Sequence, residues 1–202
     1  MKQIAVFISG SGTNLQALID WQKQGKLQAQ IGLVVSNKAE AFGIKRAQDA
    51  GLKTVIVNHK DFTSREAHEA VIENQLAENK IELIVLAGYM RLLSANFVKK
   101  WQLKIINLHP ALLPSFPGVN AIEQAFDYGV KVSGVSTIFV DEGVDTGLII
   151  LQDTVNVSSE DTVDTLSKKI HDLEHILLPK TVNIVASNNF TINGRKILID
   201  SN

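Results

Sequence analysis

The chain has no cysteine among its 202 residues, which excludes disulfide bonds, thiolate nucleophiles and cysteine-based metal sites. It also lacks an excess of charge of either sign. Its 20 basic residues nearly balance 21 acidic ones, and the net charge is -1 with histidine neutral. Since no basic field exists to collect nucleic acid or an anionic membrane, we expect neither as a partner.

Long apolar runs are missing as well. No stretch approaches the roughly 20 apolar residues that a membrane-spanning helix needs. The N-terminal segment, MKQIAVFIS, is too short in its apolar part for a signal peptide. Hydrophobic residues make up 45% of the chain and aromatic residues 6%, an ordinary composition for a globular protein. We expect a cytoplasmic protein, either a monomer or a homodimer.

The order of apolar runs up to residue 109 predicts an α/β fold. Short runs rich in β-branched residues alternate with amphipathic stretches, and consecutive apolar positions are typical of a parallel sheet covered on both faces. We predict strands at 4–9, 31–37, 53–58, 81–88 and 103–109. We predict helices at 13–24, 42–50, 64–79 and around 94–100, the third opened by a capping box of Thr63 and Glu66. This alternation predicts a Rossmann-like, doubly wound, mostly parallel sheet.

The pattern changes in the second half of the chain. A helix near 119–128 precedes two strands, at 131–140 and 147–157, which we predict to form a β-hairpin. A long helix follows Ser158 and Ser159, with apolar residues at steps of three and four on its buried side.

Near the C-terminus, Asn193–Gly194 has the sequence of a two-residue hairpin turn. We find no linker or repeat. We therefore expect one domain, 1–202, with an N-terminal lobe of about 1–100 and a C-terminal lobe of about 101–202.

A glycine-rich turn, ISGSGTNLQALID, joins the first strand to the first helix. A helix start offers unpaired N–H groups and a positive dipole end, both of which suit a phosphate. Gly10 and Gly12 allow close approach of the backbone, and Thr13 and Asn14 add side-chain donors. Leu15 replaces the third glycine of the dinucleotide pattern G-x-G-x-x-G, and the lysine of a P-loop is missing. The turn predicts one phosphate, although an ordinary tight turn explains the same residues.

Three of the four prolines fall in one segment, NLHPALLPSFPG (107–118). Asn107 and His109 are two apart at the end of a strand, so their side chains point the same way, at the edge where open α/β sheets bind ligands. Pro110 restricts His109 to extended conformations. An amide beside an imidazole can stabilise charge that develops on an acyl oxygen. The same residues could equally satisfy backbone groups at a strand end.

A carboxylate in the loop DEGVDTG (141–147) could orient and charge a nearby imidazole. Aspartate and glycine are also the usual residues of any hairpin loop. Nothing in the spacing distinguishes Asp145 from Asp141 or Glu142.

His171 and His175 lie four apart on the predicted long helix, as in half of a zinc motif. The pattern is common by chance and a clear third ligand is missing. We predict no metal.

Together these segments resemble the phosphoribosylglycinamide formyltransferases, folate-dependent enzymes of purine synthesis, over roughly residues 2–186. ISGSGTNLQALID is similar to the family's phosphate loop, SNKAEAFGIKRA to its second β-α unit and LAGYMRLLS to its folate-side loop. NLHPALLPSFPG resembles the active-site signature, and DEGVDTG the loop of the catalytic aspartate. The resemblance implies transfer of a formyl group from the co-substrate 10-formyltetrahydrofolate to the amine of glycinamide ribonucleotide, without a metal.

The resemblance also implies site residues, with phosphate binding in the N-terminal lobe and catalysis and folate binding in the C-terminal lobe. The implied catalytic residues are Asn107, His109 and Asp145, the first two stabilising the oxyanion of a tetrahedral intermediate. The implied substrate-binding residues are Gly12, Thr13, Asn14 and Glu174. The implied folate-binding residues are Arg65, Met90, Arg91, Leu92, Leu93, Val98 and Asn107. We also expect a cis peptide bond at Leu113–Pro114.

Two positions depart from the family pattern, since Asn120 and Ile138 stand where members commonly have histidine. We interpret both as changes around the site that affect the rate and the tuning of His109 more than the reaction. They also leave open a folate- or nucleotide-binding homologue without catalysis.

Two other classes of enzyme are alternatives to this interpretation, namely related formyl-folate enzymes and nicotinamide-dependent reductases. A formyltransferase acting on methionyl-tRNA or a formyltetrahydrofolate hydrolase normally carries an additional domain, which the length of this chain disfavours. A nicotinamide-dependent reductase would need a third glycine in the turn and an acidic residue near Ser36–Lys38.

Overall fold

One mixed sheet of seven strands runs through the protein, whose computed structural model describes residues 1–200. Its strands are β1 (Lys2–Ile8), β2 (Ala29–Ser36), β3 (Thr54–Ile56), β4 (Leu83–Leu86), β5 (Ile105–His109), β6 (Val132–Phe139) and β7 (Ile149–Asn156). Their order is β3-β2-β1-β4-β5-β6-β7. The first five run parallel, and the pairs β5–β6 and β6–β7 are antiparallel. The predicted hairpin of the second half therefore extends the first sheet, a relation that the sequence left open.

Six α-helices are present within the described residues: α1 (Thr13–Lys23), α2 (Phe42–Asp49), α3 (Arg65–Glu78), α4 (Ala95–Lys100), α5 (Ala121–Tyr128) and α6 (Val163–Ser187). A short hairpin follows them, formed by β8 (Phe190–Asn193) and β9 (Lys196–Ile199). The helices cover both faces of the sheet. The predicted Rossmann-like fold, with a hairpin and a long helix in its C-terminal part, is confirmed.

The consecutive apolar residues of β1 are explained by its place in the middle of the sheet. Ile4, Val6 and Ile8 belong to the core cluster that α1, α2 and α6 cover. Ala5 and Phe7 belong to the cluster that α3 and α4 cover. All five are fully buried, and burial of each large side chain contributes about 1.5–3 kcal/mol. A strand with two buried faces has no room for polar alternation.

The predicted cap of α3 was wrong by one residue, and the predicted start of the long helix by a few. Ser64, and not Thr63, caps α3, because its hydroxyl accepts a 3.1 Å hydrogen bond from the Ala67 N–H. The long helix α6 begins only at Val163, behind a capping box of Thr162 and Thr165. Ser158 precedes it in a turn, where its N–H donates to Asp161.

The C-terminal turn is also shifted by one residue. Asn193 pairs with Lys196 in the hairpin, so the two-residue loop is Gly194–Arg195 and not Asn193–Gly194. The expected cis bond at Leu113–Pro114 is confirmed. Along residues 1–200, no helix is both long enough and apolar enough to cross a lipid bilayer.

Candidate active site

The strand β5 ends in the two polar residues that the sequence singled out. It lies between parallel β4 and antiparallel β6, where Asn107 is opposite Ile138 and His109 is opposite Ser136. The His109 residue is 3% exposed, so its imidazole is almost fully withdrawn from water. An imidazole buried this deeply needs hydrogen-bond partners on the ring.

Asp145 lies beside one nitrogen of that ring and also binds Asn107. Its Oδ2 atom lies 3.3 Å from Nδ1 of His109, and its Oδ1 atom accepts a 3.2 Å hydrogen bond from the Asn107 amide. The Gly118 N–H donates to Oδ2 over 2.8 Å. One carboxylate thus brings together the end of β5, the proline segment and the loop that follows β6.

Asp141 binds groups of its own loop and does not contact His109. The structure thus distinguishes it from Asp145, which the spacing in the sequence did not. The Oδ1 atom of Asp141 accepts hydrogen bonds from the Gly143 N–H at 3.1 Å and from the Thr146 hydroxyl at 2.7 Å. These bonds close the loop on itself. Asp145, whose backbone lies in the left-handed region at φ +54°, then projects its carboxylate toward His109.

The second nitrogen of the His109 ring also meets an acceptor. Its Nε2 atom lies 2.8 Å from the carbonyl oxygen of Phe116. Both ring nitrogens thus face an acceptor, a carboxylate on one side and a carbonyl on the other. The Asn107 amide nitrogen carries two hydrogens, one of which it donates to Asp145. The site therefore places an imidazole beside an amide N–H that is available to a ligand.

The proline segment is fixed from β6 and β7 by two polar side chains that sequence reasoning missed. The Ser136 hydroxyl donates to the Ala111 carbonyl over 2.6 Å and accepts from the Leu113 N–H over 3.0 Å. The Gln152 amide donates to the Leu113 carbonyl and to Ser136, both over 2.9 Å. Both residues lie on β-strands without a motif, so only the pairing of β5 with β6 and of β6 with β7 reveals their role.

The predicted phosphate loop opens α1 with an uncapped helix start. Gly12 adopts φ +71°, and no side chain caps the helix. Within the described part of the chain, the N–H groups of residues 13–15 have no hydrogen-bond partner. A helix start with free N–H groups is an anion-binding geometry.

The second β-α unit holds this loop in place. A Cβ atom at Gly12 would lie 2.5 Å from the Cα atom of Gly43, at the start of α2. Arg46 of the same helix donates to the Ser11 carbonyl over 2.8 Å. The two helices therefore meet backbone to backbone, which leaves no room for a side chain at Gly12.

Asn14 and Glu174, both predicted to bind substrate, contact each other. The Asn14 amide donates to Oε2 of Glu174 over 3.0 Å, and Nδ1 of His171 lies 3.0 Å from the same oxygen. This hydrogen bond to Glu174 raises the pKa of His171, against the smaller opposing effect of its partial burial. The side-chain Oδ1 atom of Asn14 is buried without a partner among the described residues, so a donor on a ligand could satisfy it.

The predicted folate-side loop, residues 86–94, is anchored in its middle and at its end. In its middle, the Met90 N–H donates to the Ser9 hydroxyl over 2.8 Å, and Ser9 donates to Asn37 over 2.5 Å. At its end, the Ser94 N–H donates to buried Glu69 over 2.7 Å, and the Ser94 hydroxyl donates to the same carboxylate. The Ser9–Asn37 pair could have been found by the reasoning that found Asn107, since both residues end apolar strands.

The side chains of that loop are arranged unevenly. Met90 and Leu92 are exposed, at 71% and 61%, while Arg91 and Leu93 are half-buried. Val98, on α4, is buried and borders a cavity of about 310 Å³ with Phe139 and Leu148. Arg65 is exposed at the start of α3 and makes no hydrogen bond or ion pair with any residue from 1 to 200.

Residues 2–182 match the family model that describes the formyl transferases. The chain belongs to the formyl transferase family. Among residues 1–200 of this formyl transferase, no group of three or more histidine or acidic side chains is placed to hold a metal ion.

Two relatives and one solved structure illustrate the similarity of this formyl transferase to known members. It is 41% identical over 182 residues to the phosphoribosylglycinamide formyltransferase of Bacillus subtilis (strain 168), covering 90% of this chain and 93% of that protein. It is 48% identical over 185 residues to the human trifunctional purine biosynthetic protein adenosine-3, covering 92% of this chain and 18% of that protein. The chain spans 14–18% of the length of the trifunctional relatives. The crystal structure of glycinamide ribonucleotide transformylase 1 from Symbiobacterium toebii matches with a TM-score of 0.96 at 40% identity, covering 100% of this chain and 95% of that one.

The two positions that depart from the usual formyl transferase pattern lie around the site. Ile138 is 2% exposed on β6, directly opposite Asn107. Asn120 precedes α5 in the left-handed region, at φ 57°. Neither side chain makes a hydrogen bond to His109, Asn107 or Asp145 within residues 1–200, so the contacts among these three residues are complete without the missing histidines.

Proposed function

We propose that this formyl transferase moves the formyl group of 10-formyltetrahydrofolate to the amino group of glycinamide ribonucleotide, as a cytoplasmic enzyme of purine synthesis. The observation that carries the proposal is the double contact of Asp145 with Asn107 and His109. Some relatives, such as the Bacillus protein, match this chain over most of their own length. Their names support the choice of substrate.

The proposed reaction is an acyl transfer. The amino nitrogen of the ribonucleotide attacks the formyl carbon, and the formyl oxygen takes on negative charge in a tetrahedral intermediate. The second N–H of Asn107 donates to this oxyanion, and protonated His109 stabilises it through its positive charge, because the Phe116 carbonyl already faces its Nε2 atom. The bond between the formyl carbon and N10 of the folate then breaks. N10 receives the proton that the attacking amine has lost. The products are the formylated ribonucleotide and tetrahydrofolate.

Asp145 acts in this scheme through its negative charge. It offsets the charge of the imidazolium, and its two oxygens fix the orientation of the ring and of the Asn107 amide. A buried carboxylate that orients a histidine is a recurrent arrangement in acyl transfer. Asp145 also lies close enough to His109 to accept a proton from it through Nδ1 during the transfer.

The phosphate and ribose of the substrate have a proposed place at the start of α1. Gly12, Thr13 and Asn14 present free N–H groups there, which suit the phosphate. Glu174 is 5% exposed and held by Asn14, and its carboxylate accepts from the ribose hydroxyls.

The folate has a proposed place beside the loop of residues 86–94. Exposed Met90 and Leu92, with Arg91, Leu93 and buried Val98, provide a mixed apolar and cationic surface for the pterin. Asn107 borders this surface and meets the formyl group. Arg65, an exposed cation without a partner in residues 1–200, meets the acidic glutamate tail.

A formyl-transfer assay with purified protein, glycinamide ribonucleotide and 10-formyltetrahydrofolate tests the proposal. We expect transfer by the wild type and a loss of about a hundredfold or more in His109→Ala, the order expected when an oxyanion-stabilising group is removed. Lys45→Ala, which removes an exposed cation that pairs with Asp49 on α2, serves as the control and should keep its activity. Release of formate without the ribonucleotide would instead identify a hydrolase. Folate binding without either reaction would identify a binding protein.

A further inference from the structure

The hairpin β8–β9 contacts the loop that carries Asp145, although it lies outside the residues that match the family model, 2–182. Its base is fixed to the core by Phe190, whose ring lies 5.5 Å from that of Phe139 at the end of β6. Ile197, on β9, packs against the same core cluster. These contacts hold the hairpin against the core of the protein.

Arg195, in the turn of this hairpin, makes the contact. One of its guanidinium nitrogens donates to the Thr146 carbonyl over 2.8 Å and to the Gly147 carbonyl over 3.3 Å. No other donor reaches the Thr146 carbonyl within the described chain. Thr146 directly follows Asp145, so this bond fixes the peptide group beside the aspartate.

The two sides of the loop are held by different means. On the N-terminal side, Asp141 binds Gly143 and Thr146 through the loop itself. On the C-terminal side, Gly147 packs so closely that a Cβ atom there would lie 1.7 Å from the Phe139 carbonyl oxygen. Within residues 1–200, Arg195 is the only side chain from outside the loop that binds the backbone carbonyls of Thr146 and Gly147.

We propose that Arg195 is a positioning residue for formyl transfer, which holds the loop so that Asp145 faces Asn107 and His109. This inference rests on the proposed function. Arg195 acts through the backbone of Thr146 and Gly147 and not on the substrate. Asp145 has a left-handed backbone at φ +54°, a conformation that a non-glycine residue keeps only when its surroundings enforce it.

The test compares Arg195→Ala and Arg195→Lys with Lys196→Ala, an exposed cation at the next position of the same hairpin. We expect kcat to fall about tenfold in Arg195→Ala, the order expected for loss of a charged hydrogen bond that positions a reacting group. KM for the ribonucleotide should stay within about twofold, because the proposed phosphate site lies on α1. Lysine should restore part of kcat, since it keeps the charge but not the planar fork. Lys196→Ala should resemble the wild type.

A double mutant separates positioning from simple destabilisation. If Arg195 acts through Asp145, adding Arg195→Ala to Asp145→Asn should lower kcat by less than twofold, because coupled residues are not additive. A full tenfold loss in that background, or equal kcat for Arg195→Ala and Lys196→Ala, would overturn the inference. The melting temperatures of Arg195→Ala and Lys196→Ala should agree, because both side chains are exposed.

A readout without turnover keeps the inference testable even if the wild type transfers no formyl group. The NMR signals of the His109 ring report on its contact with Asp145. We expect Arg195→Ala to shift them and Lys196→Ala to leave them unchanged. Inactivity of the wild type would refute the proposed function alone, whereas unshifted His109 signals in Arg195→Ala would refute the positioning role alone.

Discussion

The carboxylate of Asp145 lies 3.3 Å from the imidazole of His109 and is itself largely withdrawn from water, with its side chain 11% exposed. In such surroundings a charge pair is screened weakly. We predict that Asp145→Asn lowers kcat for formyl transfer by about a hundredfold or more, because the amide keeps the shape of the side chain but loses the charge beside the imidazolium.

The measurement for Asp145→Asn is steady-state kinetics beside Glu142→Gln, which removes an exposed carboxylate from the same loop. The control should retain the wild-type kcat. Equal activity of the two variants would show that formyl transfer does not need the charge of Asp145.

Gly12 provides a second prediction, on stability. Alanine at this position would need the left-handed backbone at φ +71° and would place Cβ 2.5 Å from the Gly43 Cα atom. We expect Gly12→Ala to lower the free energy of unfolding by about 2 kcal/mol or more, since the backbone conformation alone costs about 1–2 kcal/mol. Urea denaturation measures the change.

Gly10→Ala is the matched control for stability, because a Cβ atom at Gly10 would meet nothing within 4 Å. It should change the free energy of unfolding by at most about 0.5 kcal/mol. A similar loss in both variants would mean that glycine is needed here for chain flexibility and not for the contact between α1 and α2.

The sequence predicts the strands and the end of β5 well, because those features depend on local signals. Buried parallel strands need continuous apolar residues, and Asn107 and His109 break such a run at the edge where ligands bind. The spacing did not distinguish Asp145 from Asp141, and only the family resemblance favoured Asp145, because the choice depends on how the loop turns between β6 and β7. The role of Arg195 was not predicted either, because its contact with Thr146 joins two elements that are distant in sequence.

Glu69 provides a third prediction, which concerns the folate-side loop. It is 4% exposed on α3 and accepts two hydrogen bonds from Ser94, the residue that ends the loop and caps α4. We expect Glu69→Ala to lower the free energy of unfolding by about 2–3 kcal/mol, because it leaves a buried donor unpaired and a cavity behind. KM for the folate should rise by about threefold to tenfold, because the folate-side loop loses its hydrogen bonds to Glu69.

Glu66→Ala is the control for this experiment, since Glu66 is an exposed carboxylate one turn earlier on the same helix. It should change neither stability nor the folate KM by a comparable amount. If Glu69→Ala changed stability but left the folate KM untouched, the loop would be held by the Met90–Ser9 hydrogen bond alone.

The His171–Glu174 pair gives a pH-dependent prediction with a defined sign. Glu174, through its hydrogen bond, raises the pKa of His171 above the ordinary 6.5, with smaller contributions from the charges of Glu174 and Asp172. A group whose pKa is raised by folding stabilises the fold fully below its unfolded pKa, and this contribution disappears as the pH rises through the folded pKa. The wild type should therefore exceed His171→Ala in melting temperature by more at pH 5.5 than at pH 9. The His171 side chain is 52% exposed, so the difference should be at most about 2 °C.

Glu174→Gln provides the control for this pH dependence, because it removes the carboxylate that raises the pKa while keeping an acceptor for His171 and Asn14. In the Glu174→Gln background, His171→Ala should shift the melting temperature by nearly the same amount at both pH values. Differential scanning calorimetry of the four proteins at pH 5.5 and pH 9 measures the effect. A pH-dependent difference that persists without the carboxylate would assign it to another titrating group and not to the His171–Glu174 pair.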